Sequence, residues 1–208
     1  MADLLVIAPH MDDETLGCGG ILAAATDPLV VFGVWSRDDG IEVDDVANRL
    51  GFRYLVLYGP EYEARMLGID RRQMVGRLEE ILAEETPKRV CIPSPSYHQD
   101  HVAMFEAGLA ATRPLSRNGY LAPTVVAYEY PGSAWGYEGR ELDLNHYVDG
   151  TSVLEAKLAA VSLYNEGSQR GRAIIDPAVV TGWARLRGAF VGVEYAEAFR
   201  LLRMVEST

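Results

Sequence analysis

Apolar residues along this chain gather into short unbroken runs, separated by segments whose apolar positions recur with helical spacing. Leu4–Ala8 is one such run, closed by Pro9, and has the pattern of a strand buried on both faces. Leu29–Trp35, Tyr54–Tyr58, Arg89–Ile92 and Thr124–Tyr130 repeat it. Between these runs a small-residue helix is predicted over about Thr15 to Ala25. Its Gly17, Gly19 and Gly20 would permit close packing on a sheet, and Asp27-Pro28 stops it. A second helix covers Val43–Leu50 and ends at Gly51. A third covers Asp70–Glu85, with Met74, Val75, Leu78, Ile81 and Leu82 on one face, and stops at Pro87. A fourth follows the polar stretch 93–101 and runs to about Thr112.

Strand alternating with helix predicts an α/β fold, a Rossmann-like three-layer domain with a mostly parallel sheet and helices on both faces. The last third changes character. Pro131-Gly132-Ser133 and Gly136 open a loop region, His146–Val148 has the pattern of a short strand, and helices are expected at about Val153–Tyr164 and Pro177–Gly188. Glu194–Met204 is ordered in pattern, but its type is not decided. With no internal repeat and no linker, residues 1–208 are expected to form a single domain.

Charge narrows the partners. The chain carries a net −11, and no clustered basic surface of the kind that grips nucleic acid is visible. Arg71–Arg72 and the group Arg170, Arg172, Arg185, Arg187 read as solvated helix faces. An anionic membrane surface is an equally poor match. The N-terminus runs straight into a strand without the regions of a signal peptide, and no apolar run approaches the ~20 residues of a membrane span. The expected compartment is therefore the cytoplasm. Cys18 and Cys91 lie in apolar surroundings and read as buried free thiols.

In open parallel sheets, ligands sit outside the carboxyl ends of the strands. Those ends carry His10, Asp12, Asp13 and Glu14 after strand one, and Arg37, Asp38 and Asp39 after strand two. Glu61 and Glu63 follow strand three, and His98, Asp100 and His101 follow strand four. Three of the four histidines thus fall in two short clusters, each directly after a buried strand. Two histidines and a carboxylate around an open position make the ligand set of a catalytic zinc, which brings a bound water's pKa toward ~7. Two adjacent aspartates can divide the roles of ligand and general base. A second histidine can stabilise an oxyanion or protonate a leaving amine, and a neighbouring aspartate can hold it charged. The residues by themselves leave open a metal-dependent esterase or phosphoesterase, and a binding module with a relic site.

The first motif, Pro9-His10-Met11-Asp12-Asp13-Glu14, matches the P-H-x-D-D-E of the LmbE-like or PIG-L deacetylases, with Met11 where that family often has Pro. Thr15–Gly20 resembles the family's glycine-rich helix start. His98-Gln99-Asp100-His101 matches its H-x-D-H. Weaker resemblance lies in Leu154–Ala160, Ser168-Gln169 and Tyr195–Phe199. The resemblance implies a hydrolase holding one Zn2+ per chain, with His10, Asp13 and His101 as ligands. It implies Asp12 as general base, His98 as electrophilic or general-acid partner, Asp100 as the group that orients and charges His98, and Glu14 as support. The implied substrate is an N-acetylated amino sugar, its conjugate or a related small molecule. The segment from Ser36 to Gly51 is shorter than in many family members, and Arg37, Arg49, Glu61 and Glu63 are the candidates for the substrate contacts made there.

Other positions carry two readings. His146 is a loop histidine or a substrate contact. Tyr97 is an oxyanion donor or a wall. Asp38 and Asp39 form a turn or meet sugar hydroxyls. Tyr128, Tyr130, Trp135 and Tyr137 pack the core or stack on a sugar, and Ser168-Gln169 could line the site. Apolar residues around Trp135 could also be buried in a homo-oligomer.

Overall fold

A computed structural model describes residues 1–35, 43–114, 119–134, 143–167 and 173–206. Its centre is a parallel sheet of β1 (Leu4–Ala8), β2 (Pro28–Val34), β3 (Arg53–Tyr58), β4 (Arg89–Pro93) and β5 (Thr124–Tyr128). Two antiparallel strands, β6 (His146–Asp149) and β7 (Ala196–Met204), extend it, giving the order β3-β2-β1-β4-β5-β7-β6. The α/β, mostly parallel architecture expected from the pattern is therefore present, with helices on both faces.

Alternation along β1 shows how the layers form. Leu4, Val6 and Ala8 point into one core, shared with α1 (Asp13–Ala24), α2 (Val43–Leu50), α5 (Leu154–Gly167) and α6 (Pro177–Val191). Leu5 and Ile7 point into the other, shared with α3 (Arg71–Glu85) and α4 (Gln99–Ala111). Every residue of β1 and β2 is buried, which is why these strands read as unbroken apolar runs rather than alternating ones. Among the described residues, no helix is long and apolar enough to cross a membrane.

Helix α1 carries the first polar motif, and its three glycines fix where it lies. A Cβ on Gly17 would stand 2.1 Å from the Tyr128 ring of β5, so helix and sheet approach closely there. Gly19 and Gly20 serve a different contact. A Cβ on Gly19 would meet Lys157 at 2.9 Å, and one on Gly20 would meet Glu197 at 3.0 Å. Lys157 of α5 donates to the Leu16 carbonyl (2.8 Å) and pairs with Glu197 of β7 (2.7 Å). The Glu197 carboxylate in turn accepts the N–H groups of Gly20 (2.7 Å) and Ile21 (3.0 Å). This buried ion pair is stitched into the backbone of α1 and ties it to the C-terminal third.

Several boundaries differ from the pattern-based expectation. Helix α1 starts at Asp13, earlier than expected, and places Asp13 and Glu14 in its first turn, where acidic groups oppose the positive helix end. Strand β5 ends at Tyr128 because the chain turns there, with the Ser133 hydroxyl bridging the Tyr130 N–H and carbonyl. Helix α6 runs through Gly188 to Val191 and ends at Gly192, whose φ of 80° suits glycine. Gly188 is a packing position instead, since a Cβ there would lie 2.7 Å from the Val193 and Glu194 carbonyl oxygens. Within segment 194–204, residues Ala196–Met204 form β7, whose first four residues are all buried. Arg187, expected on a solvated face, binds the buried Glu129 through two nitrogens, the longer contact at 2.7 Å.

Candidate metal centre

Strands β1 and β4 are parallel neighbours, so the segments leaving their carboxyl ends meet. The first supplies His10 and then the start of α1. The second supplies His98 at the N-cap of α4, followed by Asp100 and His101 in its first turn. Sequence positions 10–14 and 98–101 thereby share one site.

Asp13 lies at its centre. Its Oδ2 accepts the His10 backbone N–H (3.0 Å) and stands 3.3 Å from His10 Nδ1 and 3.3 Å from His101 Nε2. A tetrahedral ion with bonds of about 2.0–2.1 Å has ligand–ligand edges of about 3.3–3.4 Å. The two nitrogen–oxygen separations match such edges. All three ligand atoms of His10, Asp13 and His101 lie within 4.8 Å of one another. Two imidazoles and a carboxylate are the donor chemistry that zinc favours. His101 is buried, and its Nδ1 finds no hydrogen-bond partner among the described residues, so its ring is held from the Asp13 side. These residues fit a divalent ion.

His10 is set up for this role from behind. Its Nε2 is 3.0 Å from Asp100 Oδ2. With Asp100 ionised, that bond needs an Nε2–H donor, which leaves the Nδ1 lone pair facing Asp13 and His101. Asp100 is buried, and its own oxygens are filled by backbone donors, Ala64 N–H on Oδ2 (2.7 Å) and Met66 N–H on Oδ1 (3.0 Å). The resemblance assigns Asp100 to His98; the carboxylate hydrogen-bonds His10 and segment 64–66 and also lies within 4.8 Å of a His98 ring nitrogen. The Asp100 backbone N–H also donates to His98 Nδ1 (3.3 Å), because His98 caps the helix whose first turn holds Asp100.

The electrostatics follow the contacts. Burial opposes charge on His10, yet its bonds to Asp100 and Asp13 prevail and push its pKa up to about 10. Burial likewise opposes the Asp13 anion, but His101 and His10 hold it well below the usual carboxylate range. Asp100 is lowered, against burial, by His10 and the two amides. His98 goes the other way: burial and the neighbouring His10 lower it against the opposing Asp100 charge, favouring a neutral ring. That ring stands edge-on to His10 with centroids 4.7 Å apart.

Asp12 is the N-cap residue of α1 and is buried, with a φ of 127° and ψ of −32°. Glu14 is fully buried and accepts the Asp12 N–H. Tyr130 is buried with its ring 5.0 Å from that of His101, and its hydroxyl donates to Ser96 (3.3 Å). Tyr128 is buried against Gly17 and donates to the Ile7 carbonyl (3.1 Å), so it packs the core. Tyr97 is exposed beside His98. Glu61 and Arg49 are exposed and Glu63 is half-buried; none of the three is among the grouped ligands. His146 lies on β6, two strands beyond β5, against the Phe199 ring. Arg37, Asp38, Asp39, Trp135, Tyr137, Ser168 and Gln169 lie outside the described residues. Missing from the sequence reading are segment 64–66, which clamps Asp100 through backbone N–H groups that no side-chain pattern advertises, and Tyr164, taken there only as a helix end.

No family model matches the chain. One curated relative, an uncharacterized deacetylase, YaiS, of Escherichia coli K12, is 27% identical over 147 residues, covering 64% of this chain and 75% of its own. Among solved structures, the conserved protein TT1542 from Thermus thermophilus superposes with a TM-score of 0.79 at 22% identity, covering 100% of this chain and 98% of that one. The 4-carboxy-2-hydroxymuconate hydratase GalB from Pseudomonas putida KT2440 gives 0.75 at 21%, covering both chains completely. The N,N'-diacetylchitobiose deacetylase from Pyrococcus horikoshii gives 0.69 at 21%, covering 97% and 84%. These likenesses establish a shared fold, and deacetylases of the kind the two motifs resemble are among its bearers.

Proposed function

We propose that the chain is a zinc-dependent N-deacetylase of the LmbE-like or PIG-L kind, acting on an N-acetylated amino sugar or a related small molecule. The observation that carries this reading is that His10 Nδ1 and His101 Nε2 each stand 3.3 Å from Asp13 Oδ2, with the three ligand atoms within 4.8 Å of one another, and with Asp12 and His98 beside them. His10, Asp13 and His101 would hold one zinc per chain, which when bound polarises a carbonyl and makes water acidic. Asp12, next to a ligand but outside the grouped set, takes the proton of the attacking water. His98, reachable from solvent, donates to the oxyanion or passes a proton to the departing amine. Asp100 keeps His10 oriented through its Nε2–H. Acetate and a free amine are the products. The E. coli relative and the P. horikoshii neighbour support deacetylation as the reaction class.

The test is amine release from N-acetylglucosamine and N,N'-diacetylchitobiose, with metal-stripped and zinc-restored protein side by side. Release that requires zinc is the expected result. GalB, which shares the fold over the whole chain, makes water addition to an unsaturated carboxylic acid the second reading. Loss of ultraviolet absorbance from such an acid, without amine release from either sugar, would replace deacetylation with hydration.

A further inference from the structure

Asp12 is held in a backbone conformation that few non-glycine residues adopt, with φ 127° and ψ −32°. Such geometry is strained and persists only where surrounding contacts over-determine it. Here the contacts are visible. The Asp12 carbonyl accepts the Leu16 N–H (2.9 Å), and the Asp12 N–H donates to Glu14 Oε2 (3.1 Å). The second bond depends on where the Glu14 carboxylate sits. Glu14 is fully buried, and its other oxygen, Oε1, is fixed by two hydroxyls. One belongs to the adjacent Thr15 (2.6 Å). The other is the phenol of Tyr164 (2.8 Å), which comes from α5, 150 positions along the chain, and is itself 1% exposed. A buried carboxylate without such donors is costly, and its side chain would shift to find others.

We propose that Tyr164 is a positioning residue for Asp12, acting through the buried carboxylate of Glu14. The chain of bonds runs from the Tyr164 hydroxyl to Glu14 Oε1, and from Glu14 Oε2 to the Asp12 N–H. It sets the backbone from which the Asp12 side chain projects, while the ligands His10, Asp13 and His101 are held by other contacts. Burial keeps the Tyr164 phenol protonated and therefore a donor throughout the ordinary pH range. The role rests on the reading of Asp12 as general base, but the link between Tyr164 and the Asp12 N–H does not.

Tyr164→Phe tests it, since the ring stays and only the hydroxyl leaves. In the full-length zinc-loaded protein, exchange of the Asp12 amide hydrogen, followed by 15N-resolved NMR, should accelerate about tenfold, as expected for loosening one buried hydrogen bond. With N,N'-diacetylchitobiose as probe, kcat should fall about tenfold, with KM within twofold and zinc still one per chain. Unchanged Asp12 amide exchange would overturn the proposal. So would an unchanged kcat accompanied by a lower melting temperature, since Tyr164 would then be a packing residue alone. If wild-type protein leaves the probe intact, the deacetylase reading fails, and the amide exchange still decides the positional link. If Tyr164→Phe does not fold, Thr15→Val removes the other hydroxyl from Oε1 and is read by the same exchange rate, with the same acceleration expected and an unchanged rate overturning the link.

Discussion

Two clusters of buried charge lie within a few turns of each other, and they are built on opposite principles. Around Asp13, two carboxylates and two imidazoles converge, and one imidazole nitrogen, His101 Nδ1, has no partner among the described residues. No lysine or arginine belongs to that group of four. Around Glu197, the cation is supplied by the chain. Lys157 pairs with the carboxylate, and the remaining lone pairs are taken by Gly20 and Ile21. Glu129, capped by Arg187 and by Trp183 Nε1 (3.1 Å), follows the same plan. A buried anion costs several kcal/mol unless it is neutralised. The self-neutralised clusters answer that requirement internally and serve as structure. The Asp13 cluster has no such lysine or arginine; on the proposed reading an external ion would take that part and leave a position open for chemistry.

The largest expected difference between the clusters is in turnover. Asp12→Ala should leave zinc at one per chain and reduce kcat by about 10²–10⁴-fold, the usual contribution of general base catalysis. Near wild-type hydrolysis of N,N'-diacetylchitobiose by that variant would remove Asp12 from the mechanism. Next comes Lys157→Met, which strands the Glu197 carboxylate in the core. Breaking a buried pair from one side costs about 3–5 kcal/mol, and urea unfolding should show a loss of that size. A loss below about 1 kcal/mol would mean that the pair is solvated in solution. A third, smaller effect belongs to Asp100→Asn, which replaces the anion that fixes the His10 tautomer. Partners of this kind are worth about 10–100-fold in metal affinity, measurable by competition with a chromogenic chelator. An unchanged affinity would detach Asp100 from His10 and return it to His98.

The same contrast explains what was legible in the sequence. The Asp13 cluster is written in two local words, His10–Glu14 and His98–His101, because each follows a buried strand and the strands are neighbours. Local spacing and parallel-sheet topology together were enough to bring them to one place. Lys157 and Glu197 are isolated letters in apolar surroundings, 40 positions apart, and only the tertiary structure pairs them. Glu197 also obscured its own strand, since a buried glutamate among Ala196, Ala198 and Phe199 breaks both the alternating and the all-apolar pattern. Gly19 and Gly20 were a usable trace of the pair, because two adjacent glycines inside a helix imply that something presses against them. The direction in which Asp100 points was not legible, since its carboxylate can reach toward either of two histidines and only the fold around 64–66 selects one.

The smallest effect at any one step is a slope in pH, and it bears on the Asp13 cluster most directly. In the metal-free protein His10 is raised from its ordinary 6.5 to about 10 by Asp100 and Asp13. The folded state then binds a proton there that the unfolded chain has released, once the pH exceeds about 6.5. Stability from this group is complete below about pH 6.5 and is lost as the pH rises toward about 10, by at most about 1.4 kcal/mol per unit. With zinc on Nδ1 the proton has no place, so the metal-loaded protein should not show this slope between about pH 7 and 10. Zinc binding at neutral pH should correspondingly release a proton and tighten as the pH rises. Urea midpoints at about pH 7, 8 and 9, with and without zinc, compare the two. If the midpoints run parallel, the proton and the metal are not competing for His10, and the Asp13 cluster would be, like its neighbours, a closed piece of structure.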